Sequence, residues 1–173
     1  MLVEAGVMIG LAIILDRIKI YRMPLGGSVT AGSMIPIIIF SMRWGLGPGI
    51  IAGSTYGVLK LMLGGYVLNP IQAILEYPVA FGCLGLAGIF SNSLSNIKEI
   101  KYSKIVASVF IAISGRFISH FAAGVVFFSS DLPEGVNAWA NSALYQASYL
   151  IPEFIIGAIL LSLLWKPLSR IEK

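Results

Sequence analysis

The stretch Asn69–Gly88, NPIQAILEYPVAFGCLGLAG, decides how the whole chain is read. A helix that crosses a bilayer needs roughly 20 predominantly apolar residues, and this stretch meets that length and composition. Yet Glu76 lies inside it, with Gln72 one turn earlier and Asn69 nearly two turns earlier. Residues spaced by three, four and seven share one face of a helix. The spacing therefore predicts a carboxylate and two amides along one stripe of an otherwise oily helix.

The rest of the chain has the same character. Of 173 residues, 57% are hydrophobic and only 12% are charged, with mean hydropathy +0.89. A soluble domain would carry about 25% charged residues. The composition predicts an all-α integral membrane protein: a single domain over residues 1–173, folded as a bundle of six transmembrane helices. Their expected bounds are Leu2–Ile20, Ser33–Met42, Gly47–Leu63, Pro70–Phe90, Ile105–Phe128 and Asn141–Leu164. The second is short, so part of the polar segment MPLGGSVTAGS before it is expected at membrane depth as well. Connections such as LGGYVLNP, SNSLSNIKEIKYSK and SSDLPEG are polar or broken by Gly and Pro. No basic region precedes the first apolar segment and no small-residue cleavage site follows it, so it reads as a retained helix rather than a signal peptide.

Charge and cysteine content exclude several classes. The formal charge of +4 is spread over loops and helix ends with no basic run, so it does not signal nucleic-acid binding. Cys83 is the single cysteine, which rules out a disulfide within the chain and argues against a zinc site. Basic residues instead orient the loops. Lys98, Lys101 and Lys104, the tail residues Lys166, Arg170 and Lys173, and Arg43 fall on one side of a six-helix bundle. That side, with the C-terminus, is expected to be cytoplasmic, with Asp131 and Glu134 outside; Arg17, Lys19 and Arg22 fall outside and break the rule. Trp44 and Trp165, each beside a basic residue, fit an interfacial belt.

Glycines recur every fourth residue at Gly49, Gly53 and Gly57, and at Gly6 and Gly10. Small residues at this spacing let helix backbones approach closely in lipid. For Gly6 and Gly10 the partner helix is equally well in this chain or in another subunit.

Two further helices carry polar faces: Arg116, His120 and Gly124 in the fifth, with Gly124 leaving space beside His120, and Ser142, Gln146, Tyr149 and Glu153 in the sixth. A charge at the membrane centre costs at least ~2.5–3.5 kcal/mol, so such groups face a partner or a cavity. One reading is an internal salt bridge of Glu76 or Glu153 with Arg116 or His120. The other is a polar site open to the outside, crowded by Tyr66, Tyr77, Phe121, Phe127, Phe128, Trp139, Tyr145 and Tyr149. Aromatic faces stack flat rings, and a carboxylate with π faces attracts cations. The site would then take a flat, cationic ligand read by amides at its edge.

Three ordered segments, LNPIQAILEYPVAFGCLGLAG, RFISHFAAGVVFF and NSALYQASYLIPE, resemble the thiamine-specific substrate-binding (S) component of energy-coupling-factor (ECF) vitamin transporters. IPIIIFSMRWGLGPGIIAG is similar to that family's second and third helices. The resemblance implies a non-enzymatic bundle in the cell membrane that binds thiamine from outside and uses no cofactor. Its partners would be a transmembrane coupling protein and two ATPases; the chain itself has no phosphate-binding GxxxxGK[ST] loop. It implies that Glu76 and His120 hydrogen-bond the ligand and that Tyr66 and Tyr77 line its rings. Gln72, Phe128, Asn141, Tyr145 and Gln146 complete the expected ligand-binding set, with no metal, and Gly6 and Gly10 stand where the family carries a docking pair for the coupling protein. The family pattern has tryptophan where Phe128 stands, and tyrosine and asparagine where Asn141 and Gln146 stand. It also places a tryptophan and an acidic residue, in some members, in the loop that here reads GGSVTAGS. Other readings of the same residues are an S component for another flat vitamin or precursor, an intramembrane enzyme pairing Glu76 or Glu153 with His120, and a structural subunit held by internal ion pairs.

Overall fold

Helix α2, Ile35–Trp44, is apolar all round, and a helix of that kind has to be buried on every side. In the computed structural model it is: Ile35 through Met42 are all buried. The structure describes residues 1–99, 102–129 and 132–171, without the side chains at 25, 92–99 and 166–171. Lys101, Asp131 and Lys173, used above to orient the chain, lie outside them, as do the side chains of Lys98, Lys166 and Arg170. Around α2 pack α1 (Leu2–Arg17), α3 (Leu46–Met62), a composite helix α4, α5 (Tyr102–Phe127) and α6 (Ala138–Ile171). The chain is mostly helical, and its described segments Pro70–Ser91, Tyr102–Phe127 and Ala138–Trp165 are long and apolar enough to cross a membrane.

Helix α4 changes form along its length. It is α-helical over Pro70–Ile74, widens to a π-helical turn over Leu75–Val79, returns to α over Ala80–Gly82 and tightens to a 3-10 form over Cys83–Glu99. Pro78 lies inside the π turn. Proline lacks an N–H and its ring collides with the preceding turn of a regular helix, so a local widening relieves the clash. Neighbouring helices satisfy the carbonyls of this turn: Ser54 of α3 donates to the Pro78 carbonyl at 3.0 Å, and Ser119 of α5 donates to that of Leu75 at 2.7 Å.

The glycine stripe of α3 meets a second stripe, Gly82, Gly85 and Gly88, on α4. A Cβ added at Gly53 would strike the Phe81 carbonyl, and one at Gly57 would come within 2.7 Å of the Tyr77 carbonyl carbon. The two backbones are therefore in direct contact, as expected for small residues at this spacing. At Gly6 and Gly10 an added Cβ meets nothing within 4 Å among the described residues.

The segment between α1 and α2 departs from the all-helical expectation. Strands β1 (Lys19–Arg22) and β2 (Ser28–Thr30) form an antiparallel hairpin, with Tyr21 opposite Val29 and Arg22 opposite Ser28. Its tip is the 3-10 turn Pro24–Gly26, where Gly26 has φ of 104°, a value that favours glycine. Strand β2 is fully buried, whereas most of β1 and the hairpin tip at Pro24 and Gly26 stay exposed. Trp165 departs from the interfacial belt as well: it is 8% exposed and belongs to the core. Trp44 keeps its half-exposed edge position, with its indole N–H on Glu4 at 2.9 Å.

Candidate functional site

The hairpin, α3, α4, α5 and α6 converge on an open cleft. Glu76, Tyr77 and Phe81 come from α4, Arg116 and His120 from α5, and Tyr145, Gln146 and Tyr149 from α6. Lys60 of α3 and Gly26, Gly27 and Ser28 of the hairpin close the remaining sides. A neighbouring cavity shares Glu76, Tyr145 and Gln146 and adds Gly124, Phe128, Asn141 and Ser142. Another cavity, joined through Gly26, Lys60 and Tyr77, holds Tyr66.

Each polar side chain has a traceable place. Glu76 and Tyr77 sit on the π turn, whose wider spiral follows from Pro78. One oxygen of the Glu76 carboxylate, Oε2, accepts from Gln72 Nε2; Oε1 has no partner among the described residues. Gln72 is fully buried, and its amide also donates to the Tyr66 carbonyl at 3.3 Å and accepts from the Leu68 N–H at 3.1 Å. Both amide hydrogens are thus used within the protein, so Gln72 orients Glu76 and is not itself a cleft residue. The hydroxyl of Tyr77 accepts from the Tyr66 N–H at 2.7 Å. Tyr66 in turn stacks on Phe128, with centroids 6.4 Å apart and planes 27° apart.

On α6, the expected stripe is present but mostly engaged by protein. Gln146 Nε2 donates to the His120 carbonyl at 3.3 Å and its Oε1 accepts from the Tyr149 hydroxyl. Ser142 donates to the Phe121 carbonyl at 3.0 Å. Tyr145 and Glu153 both hold the hairpin. The Tyr145 hydroxyl donates to the Pro24 carbonyl and accepts from the Gly27 N–H at 3.2 Å. Buried Glu153 accepts from the N–H and the hydroxyl of Thr30 at 2.6 and 2.7 Å.

On α5, Arg116 is 6% exposed and has no carboxylate within ion-pair distance among the described residues. Its Nε donates to His120 Nε2 at 3.2 Å and its Nη1 meets Met34 Sδ at 2.8 Å. Its guanidinium carbon lies 4.4 Å from the centroid of Phe81, a cation–π contact. Lys60 Nζ covers the same ring at 5.0 Å while pairing with Asp16 at 2.6 Å.

The structure thus brings Glu76, Tyr77, His120, Tyr145 and Gln146 into the cleft, and places Phe128 and Asn141 in the cavity beside Glu76. Three details of the sequence reading change. Asn69 caps α4, its Oδ1 accepting from the Ile71 N–H at 2.8 Å, so it is not on the site stripe. The space at Gly124 is filled by the side chain of Ser142, which lets α5 and α6 close up. Among the described residues neither Glu76 nor Glu153 forms an ion pair; the pairs are Arg43 with Glu4 at 3.1 Å and Lys60 with Asp16. Lys60, Phe81 and the hairpin tip were missed by the sequence reading. A lysine interrupting the apolar VLKLML was the available signal for Lys60.

The chain resembles two proteins named thiamine transporter ThiT. The one from Bacillus subtilis (strain 168) is 37% identical, over 99% of this chain and 93% of the relative. The one from Lacticaseibacillus paracasei (strain ATCC 334) is 35% identical over 76% of this chain and 70% of the relative. The solved structure of ThiT from Listeria monocytogenes superposes with a TM-score of 0.83, at 26% identity, covering 95% of this chain and 92% of that one. The family described as thiamine transporter protein (Thia_YuaJ) matches residues 2–173. On the full-length family match and the shared fold, this chain belongs to the thiamine transporter family, whose named members are transporters and not enzymes.

Proposed function

We propose that the cleft binds thiamine, and that the protein is the substrate-binding component of an ECF-type vitamin uptake transporter. The observation that carries this reading is the free Oε1 of Glu76 in a cleft walled by Tyr77, Phe81, Tyr145 and Tyr149. A carboxylate oxygen without an internal partner accepts an amino group or balances a positive charge, and aromatic walls take flat rings. Thiamine carries an aminopyrimidine and a cationic thiazolium ring and meets both requirements.

On this reading all six helices cross the cell membrane and the cleft opens to the outside, at the end where α1, α3 and α5 finish and α4 and α6 begin. The C-terminus then lies in the cytoplasm. The ligand-bound subunit would dock on a transmembrane coupling protein driven by two ATPases. Support for docking through α1 is the open space an added Cβ would meet at Gly6 and Gly10 among the described residues, and the exposure of Leu2 and Val3, at 81% and 83%. Replacing both glycines with leucine is expected to abolish transport in cells and to leave ligand affinity of the isolated subunit unchanged. Lost affinity would place the pair inside this chain's own packing.

Purified protein titrated with thiamine in detergent should show saturable quenching of tyrosine and tryptophan fluorescence at a 1:1 ratio, and mass spectrometry should find thiamine released on denaturation. No saturation with thiamine, or release of a different flat heterocycle, overturns the assignment.

A further inference from the structure

We propose that Arg116 is a positioning residue that fixes the tautomer of His120, so that the cleft offers an imidazole N–H to a ligand group that must be a hydrogen-bond acceptor. A guanidinium only donates. Arg116 Nε donates to His120 Nε2 at 3.2 Å, one helical turn away. That nitrogen must present its lone pair, so the neutral ring carries its proton on Nδ1.

The remaining contacts of the ring leave Nδ1 free. His120 meets Phe81 and Tyr149 edge to face, at 6.5 and 6.3 Å between centroids, and neither contact occupies a ring nitrogen. Among the described residues Nδ1 has no hydrogen-bond partner, and it is not one of the sealed, unsatisfied polar atoms. It is the ring's one free donor, on a side chain that lines the cleft. Arg116 is itself held in place by Met34 and by the face of Phe81, and its charge polarises the ring toward donation. The cleft therefore pairs a free carboxylate oxygen at Glu76 with a free N–H at His120. Between them the two groups match an N-heteroaromatic ring that carries both an amino group and a ring nitrogen with a lone pair. An analogue with carbon in place of that nitrogen would leave the donor unpaired. This selection rests on the cleft being the ligand site; the tautomer does not.

His120 is the only histidine in the chain, so protein labelled with 15N-histidine gives a single imidazole signal set without assignment. The long-range proton–nitrogen spectrum of the wild type is expected to show Nδ1 protonated and Nε2 bare, before and after thiamine is added. In Arg116→Met, a proton should appear on Nε2 and thiamine should bind about tenfold more weakly, the size of one hydrogen bond. Arg116→Lys retains charge without the fixed fork and should not restore the wild-type spectrum. A wild-type ring protonated on Nε2, or a wild-type spectrum in Arg116→Met, overturns the proposal. Should Arg116→Met fail to fold, the wild-type spectrum alone still decides. A wild type that holds the Nδ1–H tautomer but does not bind thiamine refutes the function proposed above and leaves the lock standing.

Discussion

Gly57→Ala tests whether the glycine stripe of α3 sets the position of the site. The added methyl would lie 2.7 Å from the carbonyl carbon of Tyr77 and 3.1 Å from the nitrogen of Pro78, with the Tyr77 carbonyl oxygen closer still. These are backbone atoms, so no rotamer change relieves the clash. Restoring ordinary contact at 3.4 Å to the carbonyl carbon alone requires α4 to retreat by about 0.7 Å, and the closer oxygen requires more. Overpacking of this kind costs ~1–3 kcal/mol, whereas replacing a helical glycine with alanine returns only ~0.5–1 kcal/mol of backbone entropy. The clash wins, and it is centred on the residue next to Glu76. We expect a lower unfolding temperature in detergent and an increase in the thiamine dissociation constant of about tenfold, since displaced Glu76 and Tyr77 make poorly aligned hydrogen bonds. Gly10→Ala, where nothing lies within 4 Å, is the control and should match the wild type in both measurements. Wild-type stability and affinity in Gly57→Ala would refute direct backbone contact between α3 and α4 behind the site.

Three other substitutions separate neighbouring roles. Glu153→Ala removes the acceptor for both donors of buried Thr30; stability should fall by ~1–3 kcal/mol, and limited proteolysis should cut within residues 19–30 faster than in the wild type. Asn69→Ala removes a helix cap worth about 1 kcal/mol and should lower the unfolding temperature while calorimetry gives an unchanged thiamine affinity. Phe128→Trp enlarges the ring that stacks on Tyr66 beside Glu76; thiamine binding should tighten by at most about tenfold, read by titration, and no change would place residue 128 away from the ligand.

Helix positions were legible because apolar runs and Gly–Pro breaks are local signals; α4 was expected from Pro70 to Phe90 and its apolar span runs Pro70–Ser91. The hairpin was not legible. Its strands are short, one carries Lys19 and Arg22, and its stability comes from Tyr145 and Glu153, more than a hundred residues away. Glu76, His120 and Tyr77 could be found because each is out of place in an apolar helix. Spacing could not separate Gln72, which holds Glu76, from a ligand contact, nor Asn69, a cap, from either. The π turn also alters the facing that regular spacing assumes. Arg116 stood out as a charge in an oily helix, but only the geometry shows that it reaches His120 and not a carboxylate.

On the proposed function, Glu76 supplies the charge that holds the ligand. Calorimetric titration of wild type and Glu76→Gln with thiamine tests it most directly, because glutamine keeps the shape and its contact with Gln72 while removing the charge. A hydrogen bond to a charged group is worth ~1.5–3 kcal/mol, so the account predicts an affinity roughly tenfold to a hundredfold weaker in the variant, with unfolding still cooperative. Equal affinity in the two proteins would contradict it and remove Glu76 from the site.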